Sequence, residues 1–234
     1  DTLYYFSRSP EERPAEYHKL TFSMHYFYNE RFLLPLSHDE VVHGKGTIIQ
    51  KMWGEYEDKF RQLRALYLYM YTHPGKKLNF MGNEIAHFRE WDEKREQDWN
   101  LLEFPMHDAF HRYMKKLGEL YTSVCALYES PYDYHAFRWL VGNDQQQCVY
   151  IFERGIGKER IVAAFNFSNH HYKNYRFTTS VPMQLKELMN SDFDLYGGSV
   201  PYHLMELAES DSFEIDLPPL SGRLFKGDVV SLPI

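Results

Sequence analysis

Apolar and polar positions follow two different rhythms along this chain, and the change falls near Ser130-Pro131. Residues 1–30 are polar-aromatic and weakly periodic, which predicts loop with short helices. A short apolar run then covers Phe32 to Leu36 and ends in polar residues; its Pro35 lacks an amide donor and suits a central strand poorly. Over Asp58 to Tyr71, Phe60, Leu63, Tyr67 and Met70 fall on one helical face, and His73-Pro74-Gly75 ends that helix. A second apolar run, Leu78-Asn79-Phe80-Met81, stops at Gly82-Asn83-Glu84. A longer helix is predicted over Asp108 to Tyr128, with Phe110, Tyr113, Met114, Leu117, Leu120, Tyr121 and Val124 as its apolar positions and Pro131 closing it. Strand, helix, strand, helix in this order predicts parallel βα units.

After Pro131 short strand-like runs alternate with turns. The runs are Phe137–Val141, Cys148–Phe152, Arg160–Phe167, Tyr175–Phe177, Leu185–Met189, Phe213–Leu217 and Arg223–Lys226. Phe213, Ile215 and Leu217 alternate with Glu214 and Asp216, the pattern of a half-buried strand. Gly142-Asn143-Asp144, Gly155-Ile156-Gly157 and Gly197-Gly198 supply turns. The expected fold class is therefore α/β plus all-β. Residues 1–130 carry the βα units, and residues 131–234 form an antiparallel β-sandwich of about 100 residues.

Composition narrows the class. Hydrophobic residues make up 44% and charged residues 25%, which describes a globular chain rather than a disordered one. The net charge of −7, with no long basic run, argues against nucleic acid and anionic membrane as partners. No apolar run approaches the roughly 20 residues that span a bilayer. Cys125 and Cys148 form no ligand-spaced cluster, so neither a disulfide framework nor a cysteine metal site is expected, and a reducing compartment is. The 19 Tyr, 17 Phe and 4 Trp either fill a core and its strands or line a sugar-binding surface, and composition alone does not choose. The chain begins at Asp1 without a leader pattern and is expected to be part of something longer.

The densest chemistry lies in Ser37-His38-Asp39-Glu40-Val41-Val42-His43-Gly44-Lys45-Gly46-Thr47. His38 and His43 stand five residues apart, which on a helix separates them by about 140° and rules out the H-E-x-x-H zinc motif. Gly44-Lys45-Gly46-Thr47 lacks the full phosphate-loop pattern, and no G-x-S-x-G or G-x-G-x-x-G occurs. Polar residues at the ends of parallel strands are where barrel enzymes place their chemistry. Glycoside cleavage suits the set: its oxocarbenium-like transition state gains from a carboxylate that holds sugar hydroxyls, with a histidine donor beside it.

Leu33 through Thr47 resembles the seventh-strand region of the α-amylase-type glycoside hydrolase superfamily, in its 1,4-α-glucan (glycogen) branching-enzyme form. Further similarity runs through His73-Pro74-Gly75-Lys76-Lys77, Leu78–Glu84, Arg89-Glu90-Trp91, Asp98-Trp99, Val162–Ser168, Leu188–Asp192, Tyr196–Ser199 and Leu217–Ser221. The resemblance implies that residues 1–130 are the C-terminal part of a (β/α)8 barrel. It implies that Asp39 stabilises the transition state and that His38 binds the same sugar. Glu40, Asn83, Glu84, Arg89 and Trp91 would line the acceptor side of the cleft. The family's nucleophilic Asp and acid/base Glu match no segment here and are expected upstream of Asp1, which leaves the chain inactive alone. The implied parent cleaves an α-1,4-glucan with retention and transfers the segment to a 6-hydroxyl, in the cytoplasm, on glycogen-like α-glucan, without metal or other cofactor. A debranching hydrolase on the same fold, a noncatalytic glucan-binding or structural module, and a β-sandwich interaction domain with a decayed barrel remnant remain alternatives. An incomplete barrel is further expected to self-associate, with the part after Pro131 the more stable.

Overall fold

The computed structural model describes residues 1–230. Three short helices, α1 (Thr2–Ser7), α2 (Arg13–Glu16) and α3 (His18–Thr21), and two single 3-10 turns fill the N-terminal stretch. Strand β1 (Leu33–Leu36) and strand β2 (Lys76–Asn79) then pair in parallel, with Leu33 opposite Lys76 and Leu36 opposite Asn79. Pro35 sits inside β1 despite its missing donor, and both flanking residues keep their place in the ladder. Helix α4 (Tyr56–Thr72) connects the two strands and helix α5 (Pro105–Ser123) follows them. The described residues thus contain one βαβ unit and no closed barrel.

Both long helices differ from their sequence pattern in an instructive way. The spacing of Phe60, Leu63, Tyr67 and Met70 predicts a single buried face, yet α4 is buried from Phe60 to Met70 except at Arg61. It lies between α5 on one side and the β-sheet on the other, so its polar Gln62 and Arg64 are buried as well. Helix α5 starts three residues earlier than expected because Pro105 takes the first helical turn, where no amide donor is needed. It ends at Ser123, and a separate 3-10 turn covers Cys125–Leu127.

The C-terminal part is a six-stranded antiparallel sheet in the order β3-β4-β5-β8-β6-β7. The strands are β3 (Phe137–Asp144), β4 (Val149–Arg154), β5 (Glu159–Asn166), β6 (Tyr172–Asn190), β7 (Glu206–Leu217) and β8 (Ser221–Val229). The two runs predicted at Tyr175–Phe177 and Leu185–Met189 are one 19-residue strand, β6, whose pairing with β7 shifts register between Thr178 and Met183. That break lets the outer half of the β6–β7 hairpin fold over the sheet. Phe177, Phe213, Ile215 and Leu217 then pack on Val149, Ile151, Val162 and Ala164. The two layers of the expected sandwich accordingly belong to one continuous sheet.

Period-two alternation sorts the central strands between two cores. Val149 and Ile151 of β4 face the folded-over hairpin, while Tyr150 and Phe152 face the helices. In β5, Val162 and Ala164 alternate in the same way with Ile161, Ala163 and Phe165. Covered on both sides, these strands read as continuous apolar runs. The helix-side core is shared across the change of rhythm: Tyr5, Phe6, Phe60, Leu63, Tyr67, Phe110 and Leu117 form one cluster with Tyr150, Phe152, Phe165, Phe167 and Leu224.

Buried arginines stitch the same seam. Arg13 donates to the Phe167 carbonyl at 2.7 Å, Arg64 to the Ser191 carbonyl at 2.6 Å, and Arg154 to the Thr72 carbonyl at 2.7 Å. All three are almost fully buried, so each satisfies backbone acceptors that water does not reach. Cys125 and Cys148 are both free. No helix among the described residues is long and apolar enough to cross a membrane.

Candidate active site

The chain leaves β1 and β2 at the same end of their small sheet, and the candidate residues occupy the two segments that follow. After β1, Ser37 caps a 3-10 turn of His38, Asp39 and Glu40. Ser37 Oγ accepts the Asp39 amide at 3.2 Å, and Glu40 Oε2 accepts the Ser37 amide at 2.6 Å and the Ser37 hydroxyl at 2.8 Å. This reciprocal capping box fixes the turn. It also directs the Glu40 carboxylate back onto the backbone.

His38 and Asp39 point outward, with side chains 58% and 69% exposed, and His38 Nε2 lies 3.7 Å from Asp39 Oδ1. A donor-bearing ring and a carboxylate with free lone pairs therefore stand side by side on an open surface. The His38 ring lies 5.9 Å from the Phe80 ring, and Phe80 meets Trp91 edge-on at 5.3 Å. Phe80 is positioned by its amide, which donates to the Leu36 carbonyl at 2.9 Å. The half-buried Trp91 is thus joined to His38 through Phe80, so these two candidates share one aromatic line.

The other candidates are placed differently. Asn83 is buried, and its Nδ2 bridges the Leu36 carbonyl at 3.4 Å and Asn79 Oδ1 at 3.2 Å, which ties the end of β1 to the end of β2. Glu84 is half-buried in the next 3-10 turn. Arg89 makes a forked contact with Asp98, its Nε and Nη2 donating at 3.0–3.3 Å, and also donates to the Glu96 carbonyl at 2.8 Å. The Arg89 hydrogen bonds lower the Asp98 carboxyl below its ordinary range. Glu40, Asn83 and Arg89 therefore direct their polar groups to the protein itself, whereas His38 and Asp39 are exposed and Glu84 and Trp91 are half-buried.

Between these segments runs a contact that the sequence pattern did not single out. His43, Gly44 and Gly46 all have left-handed backbones, at φ 59°, 78° and 73°. The Gly44 amide donates to Glu90 Oε2 at 2.9 Å and the Gly46 amide to Glu90 Oε1 at 2.6 Å. These two donors, Gly44 first, hold the Glu90 carboxyl below its ordinary range. Alongside, the Trp91 amide donates to the Val41 carbonyl at 3.0 Å. The two glycines flanking Lys45 were the visible signal of a tight loop. Its partner lay 44 residues away from Gly46, beyond any local pattern. Among the described residues no group of three or more His, Cys, Asp or Glu side chains is arranged to hold a metal ion.

Residues 139–228 match the family described as the alpha amylase C-terminal all-beta domain. Over 94% of its length the chain is 42% identical to the 1,4-alpha-glucan branching enzyme GlgB of Aquifex aeolicus (strain VF5). The chain is a relative of the 1,4-α-glucan branching enzymes. The GlgB protein of Bacillus cereus (strain G9842) is 41% identical over 97% of the chain. In both cases the chain spans 37% of the length of the curated relative. Among solved structures, the α-amylase of Geobacillus thermoleovorans complexed with acarbose superposes with a TM-score of 0.60 at 17% identity, covering 98% of this chain and 47% of its own. An Anoxybacillus α-amylase gives 0.56, also at 17% identity, covering 99% and 46%. These two likenesses speak to the fold, and the fold they share includes the antiparallel sheet domain described above.

Proposed function

We propose that this chain is the C-terminal portion of a glycogen-type 1,4-α-glucan branching enzyme. Its βαβα segment would be the end of a (β/α)8 barrel, with residues 131–234 as the domain that follows. The sequence relationship across 94% of the chain carries this reading. The exposed His38-Asp39 pair at a parallel strand end supports it, because that placement suits a group facing a sugar in an open cleft.

In the proposed mechanism Asp39 accepts hydrogen bonds from hydroxyls of the sugar at the cleavage point. Those bonds shorten and strengthen as positive charge develops on the ring, so they favour the transition state over the ground state. His38 donates to the same sugar, and the Phe80–Trp91 pair supports the imidazole from behind. Glu40, Asn83 and Arg89 set the loops rather than touch the glucan. The nucleophile and the general acid are assigned to the remainder of the parent protein. The parent would act in the cytoplasm on an α-1,4-glucan and transfer the cleaved segment to a 6-hydroxyl.

The test is incubation of the full-length protein with amylose, followed by linkage analysis. New α-1,6 linkages with falling iodine stain are expected. Released short oligosaccharides without new linkages would assign a hydrolase. Retardation in glycogen gels without any turnover would assign a binding module.

A further inference from the structure

We propose that Glu90 is a positioning residue for the His38–Asp39 turn, acting through the Gly44-Lys45-Gly46 loop. The proposal rests on the reading of Asp39 given above and adds to it a residue that never reaches the sugar. Its basis is a clasp with a defined geometry. Each Glu90 oxygen takes one amide, from Gly44 and Gly46, the residues on either side of Lys45. Lys45 Nζ donates in turn to the Asp39 carbonyl at 2.9 Å. Glu90 therefore sets the loop, the loop aims Lys45, and Lys45 holds the backbone of Asp39.

Several observations make this more than an incidental contact. Left-handed residues at 43, 44 and 46 turn the two amides toward one side, a concavity suited to an anion. Here the protein's own carboxylate fills it. A carboxylate is the fitting group, because charge-assisted bonds to backbone N–H are about twice as strong as neutral ones. The depressed Glu90 carboxyl shows that the charged form is the one stabilised. The Trp91 amide bond to Val41 anchors the segment that carries Glu90. From below, Lys51 Nζ donates to the Glu40 carbonyl at 2.5 Å and the Gly46 carbonyl at 3.1 Å, so the clasp closes a loop already braced at its base. The capping box holds the Ser37–Glu40 end of this turn, and with side chains 58% and 69% exposed the Lys45 contact adds a second hold at Asp39 where there is little packing.

The experiment compares Glu90→Gln, Glu90→Ala and Asp39→Asn in the full-length enzyme. Glu90→Gln retains one acceptor but presents an amide donor to the second glycine. Hydrogen exchange of peptides covering 41–47 is expected to rise about 10-fold in Glu90→Ala, while peptides from 56–72 stay protected. The kcat on amylose is expected to fall at least about 10-fold with KM nearly unchanged, the signature of a misplaced group rather than lost binding. Glu90→Gln should fall between Glu90→Ala and the wild type. Full activity in Glu90→Ala beside an impaired Asp39→Asn enzyme overturns the proposal and leaves the site reading intact. Full activity in Asp39→Asn overturns the site reading and this inference with it. Loss of protection that extends through 56–72 in both Glu90 variants also overturns it, by assigning Glu90 a role in the stability of the whole region.

Discussion

The Arg154 guanidinium of β4 donates to the carbonyl oxygen of Thr72 at 2.7 Å, and so a strand side chain completes the last turn of helix α4. The same nitrogen reaches the His73 carbonyl at 3.1 Å. Burial lowers the Arg154 pKa to about 10, which still leaves it charged at neutral pH. Arg154→Met is expected to destabilise the chain by about 2–3 kcal/mol, because the buried carbonyls lose their donor. Urea denaturation monitored by tyrosine and tryptophan fluorescence reads this directly. An unchanged midpoint would show that the helix end finds other donors.

Helix α4 and strand β8 approach closely at Gly222. A Cβ there would lie 2.5 Å from Phe165 Cδ1 and 3.1 Å from Leu68 Cδ2. Both neighbours belong to the shared core and have no free space to retreat into. Gly222→Ala is therefore expected to cost about 1–3 kcal/mol through overpacking. The melting temperature of the variant is the measurement, and equality with the wild type would contradict the packing described.

His73 is fully buried, and burial first of all pushes its pKa down to about 3. Its Nδ1 lies 2.9 Å from the Pro74 carbonyl and its Nε2 3.3 Å from Ser23 Oγ, which fits a neutral ring. Lys77 and Arg154 nearby disfavour protonation further. The native state therefore resists a proton that the unfolded chain accepts below about pH 6.5. Between about pH 6.5 and pH 3 this group makes stability fall as pH falls, by at most about 1.4 kcal/mol per pH unit. His73→Gln is expected to flatten that part of the stability profile relative to the wild type. Parallel profiles for the two proteins would remove His73 from the acid response.

Asp39→Asn in the full-length enzyme is expected to lower kcat at least about 100-fold, the scale of losing a group that stabilises transition-state charge. Affinity for amylose should change much less, because the contact strengthens chiefly in the transition state. Steady-state kinetics give both values, and a near-normal kcat would exclude the assigned role.

The shared core changes what is expected of the chain when it is divided. A piece of residues 131–234 would expose Tyr150, Phe152, Phe165, Phe167 and Leu224, which now share one core with Tyr5, Phe6 and Tyr17 of the N-terminal stretch and with α4. It is expected to bind a hydrophobic dye and to associate, and the whole chain should do so much less. The sequence pattern alone favours the opposite outcome, a self-sufficient sandwich. A monomeric 131–234 piece with cooperative unfolding would restore that view.

The chain's own sequence determined where most of its elements lie and which residues are candidates for its chemistry. Local spacing placed α4, the β-strands and the polar ends of β1 and β2, because helix and strand periodicities are properties of neighbouring residues. The Ser37–Glu40 capping box was not read from the sequence, although its two partners lie within four residues. Tertiary structure alone decided what these elements share. Which charges would be buried, whether Arg154 would finish a helix 82 residues away, and whether two runs would join into one bent β6 depended on contacts distant in the chain. Glu90 shows the same division at the site. Its carboxylate is readable in the sequence, but its partners Gly44 and Gly46 are set by folding. The physical reason is that periodicity records only which face a residue prefers, whereas the partner on that face is chosen by packing of the whole chain.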